Sequence, residues 1–264
     1  MPFLDRLRPI LGHPPDVPWR IDLRKCEYLG PDAAAILFAL LVQARISGRQ
    51  WEIRLPTGPP PLLGFCRFSG LAFEVDGSTL PDPDHPGNET LRLARFMRNT
   101  WNLPDPLIRL VRKHIPLSKD GEDYLRICIG EVLQNIEDHS ESPVGGVLCA
   151  RFLSKTQQVR VAVVDRGHGI LGTLRARYPS ISSPMEALGK VVRGGYSAKS
   201  LRRNAGIGLR NLATFATAQG GNLTLISGSG VLEMTPASAM PRLEQRAFDF
   251  QGTAVFFTLH VETE

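Results

Sequence analysis

Apolar and polar residues change their spacing along the chain, and each change marks an element. Trp19 to Leu23 alternates apolar and polar, the period of a half-buried strand. Pro31 stands where a first helical residue tolerates a missing N–H, and Gly48 fits a helix stop, so Asp32 to Ile46 reads as the helix between them. Trp51 to Leu55 supplies a second strand. Strand, helix and strand within about 35 residues predict a parallel crossover, and Ala33 to Ala35 would let the helix lie close to its sheet. The proline cluster Pro56 to Pro61 precedes a short apolar segment, Leu62 to Leu71. Residues 76–88, DGSTLPDPDHPGN, offer almost nothing to bury and read as a linker or long loop. They divide the chain into residues 1–75 and 89–264.

Beyond that stretch the pattern predicts a strand at Thr90–Phe96 and helices at Asp105–His114, Lys119–His139 and Leu209–Ala218. Val147–Leu153, Gln158–Val164, Leu223–Ser227 and Ala254–His260 are rich in β-branched and aromatic residues and read as strands. Helices followed mostly by hairpin-like strands describe an α+β sandwich, preceded by a βαβ unit.

With 42% apolar and 22% charged residues the chain can bury a core. Its longest apolar run, Ala33 to Val42, is half of what a membrane-spanning helix requires, about 20 residues. Asp5 and Pro9 interrupt what a signal peptide would keep apolar, so a cytoplasmic protein is expected. Cys26, Cys66, Cys128 and Cys149 show no CxxC spacing and are expected to be reduced, buried and inert. The net charge of +5 is local: Ala187 to Leu232 holds six Lys or Arg and no Asp or Glu, leaving −1 for the rest. A compact polyanion such as a nucleotide suits a local patch at least as well as a long duplex does.

Four patterns carry candidate chemistry. On the helix Lys119–His139, Glu131 and Asn135 lie one turn apart on one face, which His139 continues. A carboxylate and a carboxamide so placed could orient a water and ligate a hard cation. Second, a buried-type strand ends in Asp165, followed by Gly167 and Gly169. The carboxylate could accept from an exocyclic amine, and the glycines would let backbone approach a flat ring. Gly167, Gly169 and Gly172 also spell GxGxxG, but a dinucleotide site needs a helix opening at once within a βαβ unit, and Tyr178–Pro184 breaks any crossover helix. Third, a Gly- and Lys/Arg-rich stretch containing Lys199 leads through Gly206, Gly208 and Leu209 into a helix, whose amino end could face phosphate. Fourth, Gly252-Thr253 opens the last strand.

In this order and spacing the four patterns resemble those of the Bergerat-fold (GHKL) ATP-binding proteins, over Lys119 to Glu264. The resemblance implies ATP and Mg²⁺ as cofactors, with Asn135 on Mg²⁺, Asp165 on the adenine amine and Gly167 and Gly169 lining the base. It further implies Gly206 and Gly208 on the phosphates, Thr253 supporting Asp165 through water, and Glu131 as general base. Asp138, His139, Lys199 and Leu209 complete the nucleotide contacts it implies. Within the superfamily the chain is most similar to the anti-sigma-factor serine kinases, which also carry a His four residues after the Asn. Residues 1–75 are similar to a STAS domain, the fold of anti-sigma antagonists. They depart from it where such antagonists carry a phosphorylatable serine, since Gly30-Pro31-Asp32-Ala33-Ala34 offers no hydroxyl.

Three functions share this site. The protein could phosphorylate a partner on Ser or Thr, hydrolyse ATP as a conformational switch, or bind nucleotide as an interaction module. Partners would dock on the STAS-like segment and the lid around Lys199, and a homodimer is left open. No membrane role is expected, and nucleic-acid binding rests on the lid charge alone.

Overall fold

The computed structural model describes residues 17–85, 88–98, 100–193, 207–238 and 240–261. In the first segment β1 (Trp19–Asp22) and β2 (Trp51–Arg54) pair in parallel, Trp19 opposite Trp51 and Ile21 opposite Ile53. They are joined by α1 (Pro31–Ile46), with Pro31 at its first position and Gly48, at φ +66°, just beyond its end. The parallel crossover expected from the sequence is present. The apolar segment after β2 forms two short helices, α2 (Pro60–Phe68) and α3 (Leu71–Asp76), parted where Gly70 turns left-handed at φ +81°. From Gly77 to Asn88 the described residues form no helix or strand.

The rest is α+β. A five-stranded antiparallel sheet runs in the order β3 (Thr90–Phe96), β4 (Gly146–Leu153), β5 (Gln158–Asp165), β7 (Arg242–His260), β6 (Leu223–Met234). Along β5 the side chains alternate between two apolar cores. Val159, Val161 and Val163 join the inner core with α4 (Pro104–His114), α5 (Lys119–His139), α6 (Gly169–Arg175), α7 (Pro184–Arg193) and α8 (Ile207–Ala218). Ala162 and Val164, with Val147, Cys149, Ala254 and Phe256 of neighbouring strands, form the outer core with α1 and with Leu62 and Phe65 of α2. Twelve of the sixteen residues of α1 are buried, which leaves that helix no solvent face and places it between layers. The outer core therefore draws on residues from both sides of the 76–88 stretch.

Three details depart from the sequence expectations. β6 and β7 continue beyond Ser227 and before Ala254 as a ribbon in which Glu233 faces Arg242. Its apolar residues Val231, Leu232, Phe248 and Phe250 are buried, but polar residues between them and register shifts at Gly228 and Gly230 break the regular strand alternation. α6 opens directly at Gly169, where no helix was expected; a dinucleotide crossover is excluded instead because both neighbours of β5 run antiparallel to it. α7 was also missed, although Ser183-Pro184-Met185-Glu186 is a capping sequence: Ser183 Oγ accepts from the Glu186 amide at 3.2 Å. Of the four cysteines, Cys66, Cys128 and Cys149 are buried and Cys26 is only partly covered. Burial pushes the thiols of Cys66 and Cys128 up to about 11. Among the described residues no helix is long and apolar enough to cross a membrane.

Because α1 and the sheet share a core, damage to α1 should be felt by the whole chain. Leu37 is fully buried, and Leu37→Ala is expected to cost about 2–5 kcal/mol. Urea unfolding followed by fluorescence and by circular dichroism should show one transition shifted as a unit. A shifted first transition beside an unshifted second would show instead that the two segments unfold independently.

Candidate functional site

The inner face of the sheet opens into a cleft enclosing about 830 Å³, open solvent included, between α5, α6, α7, α8 and the facing ends of β5 and β7. Helix α5 is capped by Ser118, whose side chain accepts from the Gly121 amide at 3.1 Å, and it buries Leu125, Ile129, Val132, Leu133 and Ile136. That packing turns Glu131, Asn135 and His139 into the cleft, stacked at four-residue intervals beside Val132 and Ile136. Ile170, Leu174, Val191 and Val255 make the remaining wall apolar.

Asp165 is the one carboxylate deep in this wall, 2% exposed at the end of β5. Its Oδ1 accepts from the Gly167 amide at 2.8 Å, and both the amide and the hydroxyl of Thr253 bond to the carboxylate. Desolvation nonetheless dominates and pushes the carboxyl from the usual 3.8 up to about 6, against those hydrogen bonds and the nearby Arg166 charge. The group is thus an acceptor facing a mostly apolar cleft. His139 adds an unsatisfied group: its Nε2 is buried with no hydrogen-bond partner among the described residues.

Glycines fix this geometry by close approach. A side chain at Gly167 would collide with the carbonyl of Ser140, which ends α5 and accepts from the His168 amide at 2.9 Å. Gly252, at φ +98°, lies against the Asp165 carbonyl, which brings Thr253 alongside the carboxylate. At Gly208 a Cβ would stand 2.5 Å from Cβ of Glu131, so α8 begins hard against the Glu131 face of α5.

The cleft therefore gathers Glu131, Asn135, His139, Asp165, Gly169, Gly208, Leu209 and Thr253. Gly167 lies behind it, against the end of α5. Asp138 points to solvent and accepts from Gln134 Nε2 at 2.7 Å. Lys199 and Gly206 lie outside the described residues. Two supporting residues have no sequence signature. Ser227 Oγ donates to the Gly252 carbonyl at 3.0 Å and accepts from the Ile170 amide at 2.8 Å, tying β6 to both glycine turns. Arg166, which separates Asp165 from Gly167, is buried on the far side of the sheet.

Among the described residues no group of three or more His, Cys, Asp or Glu could hold a metal ion. Asn135 and Glu131 could contribute to a hard cation only if another molecule supplied most of its oxygen ligands. A buried acceptor, apolar walls and a carboxylate–carboxamide pair at one side would suit a flat, amine-bearing ring joined to an anionic group. No protein-family model matches the chain, and no curated protein matches it.

The burial of Asp165 has a consequence for stability. A folded-state value raised from 3.8 to about 6 leaves the protein unpenalised below about pH 4 and penalised as pH rises through 6, by about 3 kcal/mol. Asp165→Asn removes the charge but loses one acceptor toward Thr253, so a net gain of about 1–2 kcal/mol is expected at pH 7. Melting curves of both proteins between pH 4 and 8 should cross, with the variant the less stable near pH 4 and the more stable above pH 6. A constant offset would mean that the carboxylate is not strained by burial.

Proposed function

We propose that the chain binds Mg·ATP and controls a protein partner by phosphorylating it on serine or threonine, as a Bergerat-fold regulator of the anti-sigma kinase type. The observation that carries this reading is Asp165, an almost inaccessible carboxylate held by Gly167 and Thr253 and facing an apolar cleft. Ionised, it accepts from the 6-amino group of adenine, while Ile170, Leu174 and Val255 cover the ring. Asn135 would hold Mg²⁺ through its carboxamide oxygen, and Mg²⁺ would neutralise charge on the phosphates. Glu131, one turn before Asn135, would take the proton of the attacking hydroxyl as general base. His139, with its unsatisfied Nε2, adds a hydrogen bond to the bound nucleotide. The amino end of α8 and the basic stretch before it would receive the phosphates. The STAS-like segment would serve as the partner's docking surface.

Base choice is the direct test. Guanine presents an oxygen where adenine presents the amine, and a buried unpaired polar group costs ~1–3 kcal/mol. That corresponds to a preference of roughly tenfold or more for ATP. Competition of ATP and GTP for the site measures it, and equal competition would show that Asp165 does not read the base. Incubation with γ-labelled ATP and candidate partner proteins then separates the outcomes. Labelled partner supports the kinase; free phosphate alone would favour a hydrolytic switch, and neither would favour a binding module.

Glu131 should separate binding from turnover. Glu131→Gln keeps the side chain's shape but cannot take a proton at neutral pH. Mg·ATP affinity is expected to stay near that of the unaltered protein while phosphoryl transfer falls by about 10² or more. Single-turnover rates and calorimetric affinities measured side by side check this, and an unchanged rate would remove Glu131 from the mechanism.

A further inference from the structure

Asp165 and Arg166 are consecutive at the end of β5 yet serve opposite sides of the sheet. Asp165 lines the cleft, whereas the Arg166 guanidinium enters the outer layer. There its Nε donates to Gln43 Oε1 of α1 at 2.8 Å, and one terminal nitrogen donates to the Gln251 carbonyl at 2.9 Å. The guanidinium stacks 5.1 Å from the centre of the Phe250 ring, and the whole residue is only 4% exposed. The Arg166 amide also donates to Ser142 Oγ at 3.1 Å, just beyond α5. Through Gln251 the side chain steadies the irregular stretch of β7 whose next residues, Gly252 and Thr253, press against and hydrogen-bond Asp165.

The partner that α1 supplies is neutral. A carboxylate in place of Gln43 would make a charge-assisted bond roughly twice as strong, and would also cancel the positive charge that Arg166 holds behind Asp165. Burial brings the guanidinium down only to about 10, so it stays charged at neutral pH. The other described ionisable groups near this pair are few. Glu131 and His139 of α5 face the same cleft, and Asp249 of β7 acts on Arg166. α1 contributes Gln43, which carries no charge.

We infer that Arg166 is a positioning residue for Asp165, held from the outer face of the sheet by Gln43, and that the N-terminal segment thereby tunes nucleotide recognition. The inference rests on the reading of Asp165 as the adenine acceptor. Arg166 offsets part of the cost of ionising Asp165 through its charge, and supports Thr253 through Gln251. α1 fixes the guanidinium without quenching it.

Two variants of the full chain test this, Gln43→Glu and Arg166→Met, with the Asp165 carboxyl followed by carbon NMR in nucleotide-free protein. Gln43 is partly exposed at the edge of α1, so Gln43→Glu preserves the hydrogen bond and the fold while neutralising Arg166. Both variants are expected to raise the Asp165 midpoint from about 6 by about one pH unit. ATP affinity should follow, about fivefold weaker at pH 6 and nearly unchanged at pH 8 in Gln43→Glu. A clamp that is merely structural would change melting temperature and leave the midpoint where it is. An unmoved Asp165 midpoint in folded Gln43→Glu overturns the inference, even if Arg166→Met does not fold. Absence of ATP binding by the unaltered chain at every pH would sink the proposed function, a failure the NMR midpoint does not share.

Discussion

A sheet that is apolar on both faces cannot leave either of them to water, and most of this architecture follows from that constraint. Antiparallel sheets commonly solvate one face, but here Ala162 and Val164 point one way while Val161 and Val163 point the other. The inner face is covered by five helices of the C-terminal part. The outer face is covered by α1, which has an apolar surface all round and would itself be untenable in solution. The two solve each other's problem. The N-terminal segment is in this sense the second wall of the sandwich.

The site forms where that covering stops. β5 ends in a carboxylate, and the chain on either side of it is drawn so close that Gly167 and Gly252 have no room for side chains. Close packing of backbone excludes water from Asp165, and the exclusion is what makes the group costly to ionise and sharp as an acceptor. The same crowding recurs at Gly208, where α8 meets Glu131. The buried acceptor and the local instability thus come from one arrangement. Ser227 and Thr253 offset part of the cost by satisfying the turns around the carboxylate.

The two faces are not independent at this point. Asp165 and Arg166 follow one another along the chain, so the end of β5 presents a carboxylate to the inner side and a guanidinium to the outer side.

Sequence alone determined whatever depends on neighbours a few residues apart. The extent of α5 was legible because its apolar positions recur at helical spacing, and the common face of Glu131, Asn135 and His139 follows from the same geometry. The strands were legible where β-branched residues crowd, and the α1 crossover from its proline and glycine ends. Gly167 and Gly208 were legible as special positions, but not as close contacts with Ser140 and Glu131, because each contact joins elements far apart in the chain. The ribbon of β6 and β7 loses its regular alternation at Gly228 and Gly230, and Pro184 reads as a break although a proline is tolerated in the first turn of a helix such as α7. Only the tertiary structure decided that α1 covers the sheet, that Ser227 links two glycine turns, that Asp138 faces water, and that Arg166 reaches Gln43. Each is a pairing between distant segments, set by which apolar faces must be hidden together, and no local pattern encodes it.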